Sequence, residues 1–218
     1  MGNKEKLLNA ILIFSIYVAA YAFTNHIALY PATLAPQSSY DQYFGFSPHW
    51  IWIYLGTFFY VTIGYALMKE ETQIKNFVYA FLLLTMVANL IFLFRPTYIQ
   101  RDLFPTPGPT GTLLNFAFVT LRTLDTERNC FPSLHVGTSF LVAFYLGRGS
   151  RKWGALAFLY SLLVVLSTFY TKQHNLWDAT SGFLLSLSCY LIVEKVNPRI
   201  IQMKNQYAEK TKGGGPDS

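Results

Sequence analysis

Long runs without charged side chains are the feature that most constrains how this chain can fold. Only 13% of the 218 residues are charged, against about 25% in a soluble domain. The deficit is concentrated in Leu-, Phe- and Ala-rich segments close to the length of about 20 residues that a bilayer-crossing helix needs. No strand-like alternation is present. We therefore predict an all-α, polytopic membrane protein, a bundle of six transmembrane helices over residues of about 7–24, 50–68, 76–94, 134–148, 153–171 and 175–194.

The six segments fit one domain, which we place at residues 1–200, followed by a basic, flexible cytoplasmic tail at 201–218. The first segment has an alternative interpretation. Lys4 and Lys6, an apolar run and the sequence Ala-Tyr-Ala at 20–22 are also compatible with a cleavable signal peptide. The length of the apolar run favours a membrane span.

The distribution of Lys and Arg predicts the orientation of the bundle in the membrane. If both termini are cytoplasmic, twelve of the seventeen basic residues lie on the inner side. The net charge of +6 then reflects membrane topology, so nucleic acid is not an expected partner. The chain has no Asn-x-Ser/Thr sequon. This absence favours a bacterial inner membrane over another plasma membrane as its location. Five basic residues lie on the outer side: Arg95, Arg101, Arg122, Arg128 and Lys172.

Two short motifs hold two of the four histidines. Residues 132–135 read Pro-Ser-Leu-His, and residues 174–178 read His-Asn-Leu-Trp-Asp. A spacing of i, i+4 puts His174 and Asp178 on one face of a helix. A carboxylate in that position can hold an imidazole in one tautomer and stabilise positive charge on it.

The predicted topology brings these motifs to one depth, at the outer ends of the helices. Ionisable groups at such a depth indicate a functional site. An arginine at the end of a transmembrane helix is, however, often only an interfacial anchor, and the aromatic residues Tyr43, Trp50, Trp52 and Tyr54 are typical of an interfacial belt. The residues predicted to converge are Arg95, Ser133, His135, Lys172, His174 and Asp178.

The residue types at this site fit phosphoryl transfer. Free N–H groups at the start of the fourth span, beside Ser133, would bind phosphate oxygens, and Arg95 and Lys172 would add charged donors. His174 could attack phosphorus while His135 protonates the leaving oxygen. This chemistry needs no metal and no other cofactor, and a zinc site would require three or four ligands.

The outer segment of about 95–131 contains a Pro- and Gly-rich break followed by apolar residues from Leu113 to Leu124. These residues predict an interfacial helix. Such a helix beside the site could admit a lipid from the outer leaflet, or it could cap the bundle.

The two motifs together resemble the type 2 phosphatidic acid phosphatase superfamily over about residues 88–190. That family includes membrane lipid phosphatases, lipid phosphotransferases similar to inositol phosphorylceramide synthases, and soluble vanadium haloperoxidases. The resemblance implies that His174 becomes a phosphohistidine, that Asp178 orients it and that His135 is the general acid. It also implies that Ser133 contacts the phosphate and that Arg95, followed by proline, closes the first family motif.

Two cations of the family pattern are missing from this chain. Ala88 stands where the first motif has Lys, and Thr168 stands where the third motif has Arg. Their loss removes two cations of the family's phosphate clamp and leaves the two histidines and the aspartate in place. The candidate replacements are Lys172, Arg101, Arg122 and Arg128.

The predicted function is that of a metal-independent lipid phosphatase acting on a lipid phosphate monoester or pyrophosphate through a phosphohistidine. Its partners would be the lipid phosphate and the bilayer, and the sequence is compatible with a monomer or a homo-oligomer. One alternative is a lipid phosphotransferase that passes the phosphoryl or phosphodiester group to an alcohol. Another is a non-catalytic transporter or scaffold. The apolar spans exclude a soluble haloperoxidase.

Overall fold

The computed structural model describes residues 2–27, 29–104 and 106–213. Over these ranges the chain is mostly helical, which confirms the all-α class. Two short parallel strands, β1 (Thr33–Leu34) and β2 (Thr97–Tyr98), join the segments that follow the first and third helices. The helices are α1 (Asn3–His26), α2 (Ile51–Leu67), α3 (Glu71–Phe94), α4 (Leu113–Leu124), α5 (Leu134–Gly149), α6 (Arg151–Tyr170) and α7 (Leu176–Gly213).

Among the described residues, five helices are long and apolar enough to cross a membrane: α1, α2, α3, α6 and α7 as far as Pro198. They make the chain an integral membrane protein. The remaining predicted span is helical too, but α5 has only 16 residues, a length of about 24 Å at 1.5 Å per residue. A hydrocarbon core is about 30 Å thick.

The short helix α5 is the centre of the bundle. It packs against α2, α3, α6 and α7, and every residue from 134 to 143 is buried. A helix that is apolar on all sides is stable only when it is surrounded. This position explains why α5 can be shorter than the helices around it, and it carries His135 into the interior.

Contacts at the helix ends show that consecutive long helices alternate in direction. Near the start of α1, the Lys6 ammonium donates to the carbonyls of Ala66 at 2.7 Å and Met68 at 2.5 Å, at the end of α2. Near the start of α3, Gln73 donates to the Tyr145 carbonyl on α5 at 2.5 Å. The ends of α3 and α6 and the starts of α5 and α7 therefore share the opposite end of the bundle, which we call the site end.

A buried polar network ties α1 to α4 at the site end. The Asp125 carboxylate, directly after α4, accepts from the Tyr21 hydroxyl at 2.6 Å and from the Asn25 amide at 3.2 Å. Arg101 donates to the Asp125 carboxylate at 3.3 Å and to its backbone carbonyl at 2.8 Å. The network holds the segment before α5 against α1.

The predicted interfacial helix is observed as α4. Thr112 caps it by accepting from the Asn115 N–H at 3.2 Å, as N-cap threonines commonly do. At the other terminus, α7 continues to Gly213 through most of the segment predicted as a flexible tail, because residues such as Gln, Lys, Ala and Glu favour helix. The last part of that tail, residues 214–218, lies outside the described residues.

Candidate active site

A tight turn between α6 and α7 places His174. The Thr168 carbonyl accepts from the N–H groups of Gln173 at 2.9 Å and His174 at 3.3 Å. Within this turn, directly before Gln173, Lys172 has φ 56°, in the left-handed region that a residue with a side chain disfavours. The chain thus reverses within a few residues and leaves the His174 side chain buried at the site end.

Asp178 lies on the first turn of α7, whereas His174 precedes that helix by two residues. The prediction that the two share one helix face is therefore wrong, because the turn after α6 extends as far as Asn175. The Asp178 Oδ2 is 3.6 Å from the His174 Nδ1 and accepts from the Asn175 N–H at 3.0 Å. The first distance is slightly longer than a hydrogen bond, and no hydrogen-bond partner of the His174 Nδ1 is described. Both side chains are buried, Asp178 completely. The carboxylate therefore faces one nitrogen of His174 and leaves Nε2 for other contacts.

His135 occupies the first turn of α5 and is held by aromatic residues of α2. Its Nδ1 lies 3.2 Å from the Tyr54 hydroxyl, and its ring stacks on Tyr54 with 4.1 Å between centroids. The Phe58 ring contacts it edge-on at 5.6 Å. The His135 Nε2 is buried without a described hydrogen-bond partner. Its ring centroid is 6.1 Å from that of His174.

Ser133 and Gly182 bring the starts of α5 and α7 together. The Ser133 hydroxyl accepts from the Val136 N–H at 3.4 Å and so caps α5. The Ser133 N–H donates to the Asp178 carbonyl at 3.0 Å. A Cβ added at Gly182 would lie 2.3 Å from the Ser133 carbonyl oxygen, so only glycine permits this approach. The two motifs are thereby joined through their backbones.

This arrangement has the parts that an anion-binding, nucleophilic site needs. The N–H groups of Leu134 and His135, in the first turn of α5, precede the first intrahelical hydrogen bonds and point out of the helix start. Two buried imidazoles lie beside them, and one faces a carboxylate. Chemically, the site can bind an oxyanion, attack it and move a proton.

The two cations predicted at this site differ in their positions. Arg95 ends α3, is exposed and lines a separate cavity of about 410 Å³ with Tyr30 and Pro31. Lys172 donates to the Phe44 carbonyl and lies 5.4 Å from the centre of the Phe104 ring. Burial lowers the pKa of Lys172, while Asp41 opposes that shift. Among the described contacts, none joins Arg95 to either histidine.

No cation occupies the two positions where the family pattern has one. Ala88 and Thr168 are both fully buried, and Ala88 belongs to the apolar core. The buried cation at the site end is Arg101, at 4% exposure. Burial alone would lower the pKa of its guanidinium, but the charge of Asp125 and the nearby Tyr54 raise it. Since Asp125 compensates the charge, the pair contributes little net positive field.

Sequence reasoning missed two residues that form contacts at the site end, Tyr54 and Asp125. Tyr54, interpreted as part of an interfacial belt, contacts His135 directly. Asp125 forms an ion pair with Arg101, and the separation of these two residues in the sequence does not predict that pair. The apolar run around Tyr54 carries no signal that separates a site tyrosine from a belt tyrosine. Within the described ranges, no group of three or more His, Cys, Asp or Glu side chains could hold a metal ion.

The fold and the site define a helical integral membrane protein with a buried pair of histidines, one of which faces an aspartate. The model of the PAP2 superfamily, the type 2 phosphatidic acid phosphatases, matches residues 46–192, about two thirds of the chain. The chain belongs to this superfamily, and membership indicates a phosphatase-type or related phosphoryl-transfer enzyme. No curated protein and no solved structure is detectably similar to it.

Proposed function

We propose that this protein is a metal-independent lipid phosphatase that works through a phosphohistidine. The observation that carries the proposal is the pairing of two buried imidazoles, His135 and His174, with 6.1 Å between ring centroids and Asp178 behind one of them. This distance between the two rings suits one phosphoryl group bound between a nucleophile and an acid. Superfamily membership supports the same chemistry.

In the first step, the Nε2 of His174 forms a bond to phosphorus, and the bond from phosphorus to the lipid oxygen breaks. The lipid oxygen takes a proton from the Nε2 of His135, so a neutral alcohol leaves. Asp178 stabilises the positive charge that develops on His174. The N–H groups at the start of α5 and the Ser133 hydroxyl would contact the phosphoryl oxygens.

In the second step, water attacks phosphorus and gives a proton to His135. The bond between phosphorus and the His174 nitrogen breaks, and inorganic phosphate leaves. Both histidines return to their starting states, so one water is consumed for each phosphate released. Tyr54, which contacts the Nδ1 of His135 at 3.2 Å, would keep the Nε2 directed at the substrate in both steps.

The proposed membrane arrangement has six transmembrane helices. The fourth of these along the chain is the short helix α5, which packs among α2, α3, α6 and α7. Both termini would be cytoplasmic, and the site end would face the periplasm or the outside. The alternation of the helices and the distribution of basic residues support this arrangement. A phosphate role for Arg95 and for Lys172 stays a prediction.

A lipid phosphotransferase is the second candidate, and one observation favours it. The cations expected at positions 88 and 168 are replaced by buried Ala88 and Thr168, which weakens the grip on a dianionic monoester. A phosphodiester carries one charge fewer and would need fewer cations. In that reaction an alcohol takes the place of water in the second step.

The test is release of inorganic phosphate by detergent-purified protein from a panel of lipid phosphates and pyrophosphates, with and without EDTA. The wild type is compared with His174→Ala and with His49→Ala, which removes an exposed histidine as a matched control. We expect EDTA-resistant release by the wild type and His49→Ala, and a loss of at least 10³-fold in His174→Ala.

Activity of folded His174→Ala near the wild-type level would overturn the mechanism. A new phosphodiester that forms only when an alcohol is added would establish the phosphotransferase instead. Turnover of neither kind across the panel, with or without acceptors, would support the non-catalytic transporter or scaffold.

A further inference from the structure

A cavity of about 500 Å³ opens between α1, α2 and α4, within the range of small-molecule sites. We call it the tail cavity. It exists because α1 packs on α3, while the start of α2 packs on α4 through Tyr54, Ala117 and Phe118. The gap between α1 and α2 is thus left open toward the site end, where α4 covers it.

The inner end of the tail cavity is the proposed active site. His135 lines the cavity, is 7% exposed and has a buried Nε2 without a described partner. Asp125 also lines the cavity, but its carboxylate oxygens already accept from Tyr21 and Arg101. A ligand that fills the cavity therefore meets the proposed general acid at one end.

The outer end opens on an apolar surface. Val18 on α1 and Phe116 on α4 both line the cavity, and they are 57% and 63% exposed. Both α1 and α2 are candidate membrane spans, so the mouth of the cavity faces hydrocarbon. A sugar phosphate or another polar ligand would lose its hydrogen bonds to water here without replacement.

We infer that the tail cavity binds the hydrocarbon chain of the lipid phosphate, with the phosphate at His135 and the chain leaving sideways between α1 and α4 into the bilayer. This inference rests on the proposed function, and it adds the source of specificity. The chain positions the substrate in the cavity. A chain held there would keep the phosphate beside His135 in a site without the cations at positions 88 and 168.

Binding energy from the chain should appear in kcat/KM as a dependence on chain length. For alkyl phosphates that are monomeric in water, each methylene that moves from water into the cavity contributes about 0.8 kcal/mol, which corresponds to roughly a fourfold rise in kcat/KM per carbon. The series should level off once the cavity is full, because further carbons stay outside it.

Thr120 offers a direct test because it lines the cavity from α4. Thr120→Trp should fill part of the cavity, and Ala22→Phe should do so from the opposite wall on α1. The matched control is Thr123→Trp, also on α4, where the side chain is exposed. The measured quantity is the ratio of kcat/KM for hexadecyl phosphate to that for para-nitrophenyl phosphate, which has no chain.

We expect this ratio to fall at least tenfold in Thr120→Trp and Ala22→Phe and to stay within threefold in Thr123→Trp. The chain-length series should also level off at a shorter chain in the two cavity variants. An unchanged ratio in both folded cavity variants would overturn the inference.

A second readout does not depend on turnover. Hexadecyl phosphate with a diazirine in its chain is photo-crosslinked to the purified protein, and the sites are mapped by mass spectrometry. Crosslinks on α1 and α4 cavity residues that weaken in Thr120→Trp support the inference. Crosslinks spread equally over all apolar faces in both proteins contradict it. If the wild type releases no phosphate yet crosslinks in the cavity, the proposed function fails and the binding site stands.

Discussion

Gly182→Ala should separate the two halves of the site, and its effect follows from the backbone geometry. The added Cβ would lie 2.3 Å from the Ser133 carbonyl oxygen and 3.2 Å from the Ser133 carbonyl carbon. Both atoms are backbone, so no side-chain rotation relieves the clash. To reach an ordinary contact beyond 3.4 Å, α7 must move away from α5 by about 1 Å.

That movement acts on the chemistry because α5 carries His135 and the start of α7 carries Asp178. The hydrogen bond from the Ser133 N–H to the Asp178 carbonyl, now 3.0 Å, would stretch and break. A misplacement of about 1 Å can cost about 10²-fold in rate, and overpacking costs about 1–3 kcal/mol of stability. We expect kcat for lipid phosphate hydrolysis to fall about 100-fold.

The assay measures kcat and the thermal midpoint of folded, detergent-purified protein. Gly64→Ala is the matched control, since its Cβ would lie 2.3 Å from Val142 on α5. It is ten residues from Tyr54, about 15 Å along α2. This control should lose stability but keep kcat within threefold. A folded Gly182→Ala protein with kcat within threefold of wild type would refute the idea that this contact sets the geometry of the site.

Four further substitutions test individual contacts. Asp178→Asn keeps the shape but removes the charge behind the proposed nucleophile His174, so kcat should fall by about 10²–10⁴; an unchanged kcat would exclude an orienting role. Tyr54→Phe removes the 3.2 Å contact to His135, the proposed general acid, and should lower kcat about tenfold, with a small change in thermal midpoint. Arg101→Leu leaves a buried carboxylate without its cation and should cost about 3 kcal/mol in a denaturation measurement. Lys172→Gly should be about 1 kcal/mol more stable than Lys172→Ala, because only glycine adopts φ 56° without strain; equal stability would contradict this.

Most of the helices could be predicted because their signals are local. Charge-free runs of bilayer length identify α1, α2, α3, α6 and α7, since a chain in hydrocarbon must satisfy its own hydrogen bonds. The apolar pattern of Leu113–Leu124 likewise predicted α4. The central position of α5 had no such signal, because it depends on how the other helices pack around it.

The same division holds within the site. The proximity of His174 to Asp178, four residues further on, and the capping of α5 by Ser133 depend on a few adjacent residues. The contact between Tyr54 and His135 joins residues 81 positions apart, and the tail cavity is formed by three helices. The alignment of such distant parts is set by packing, which sequence spacing does not encode.

The sequence alone therefore determined that the chain spans a membrane, which family motifs it contains and at which helix ends they lie. These properties depend on local composition and on the period of the helix. Only the tertiary structure decided that Arg95 is exposed and lines a separate cavity, that Asp125 pairs with Arg101 and that an apolar cavity leads to His135. Each of those outcomes depends on the rotation and spacing of whole helices, which are fixed by close packing over long distances in the chain.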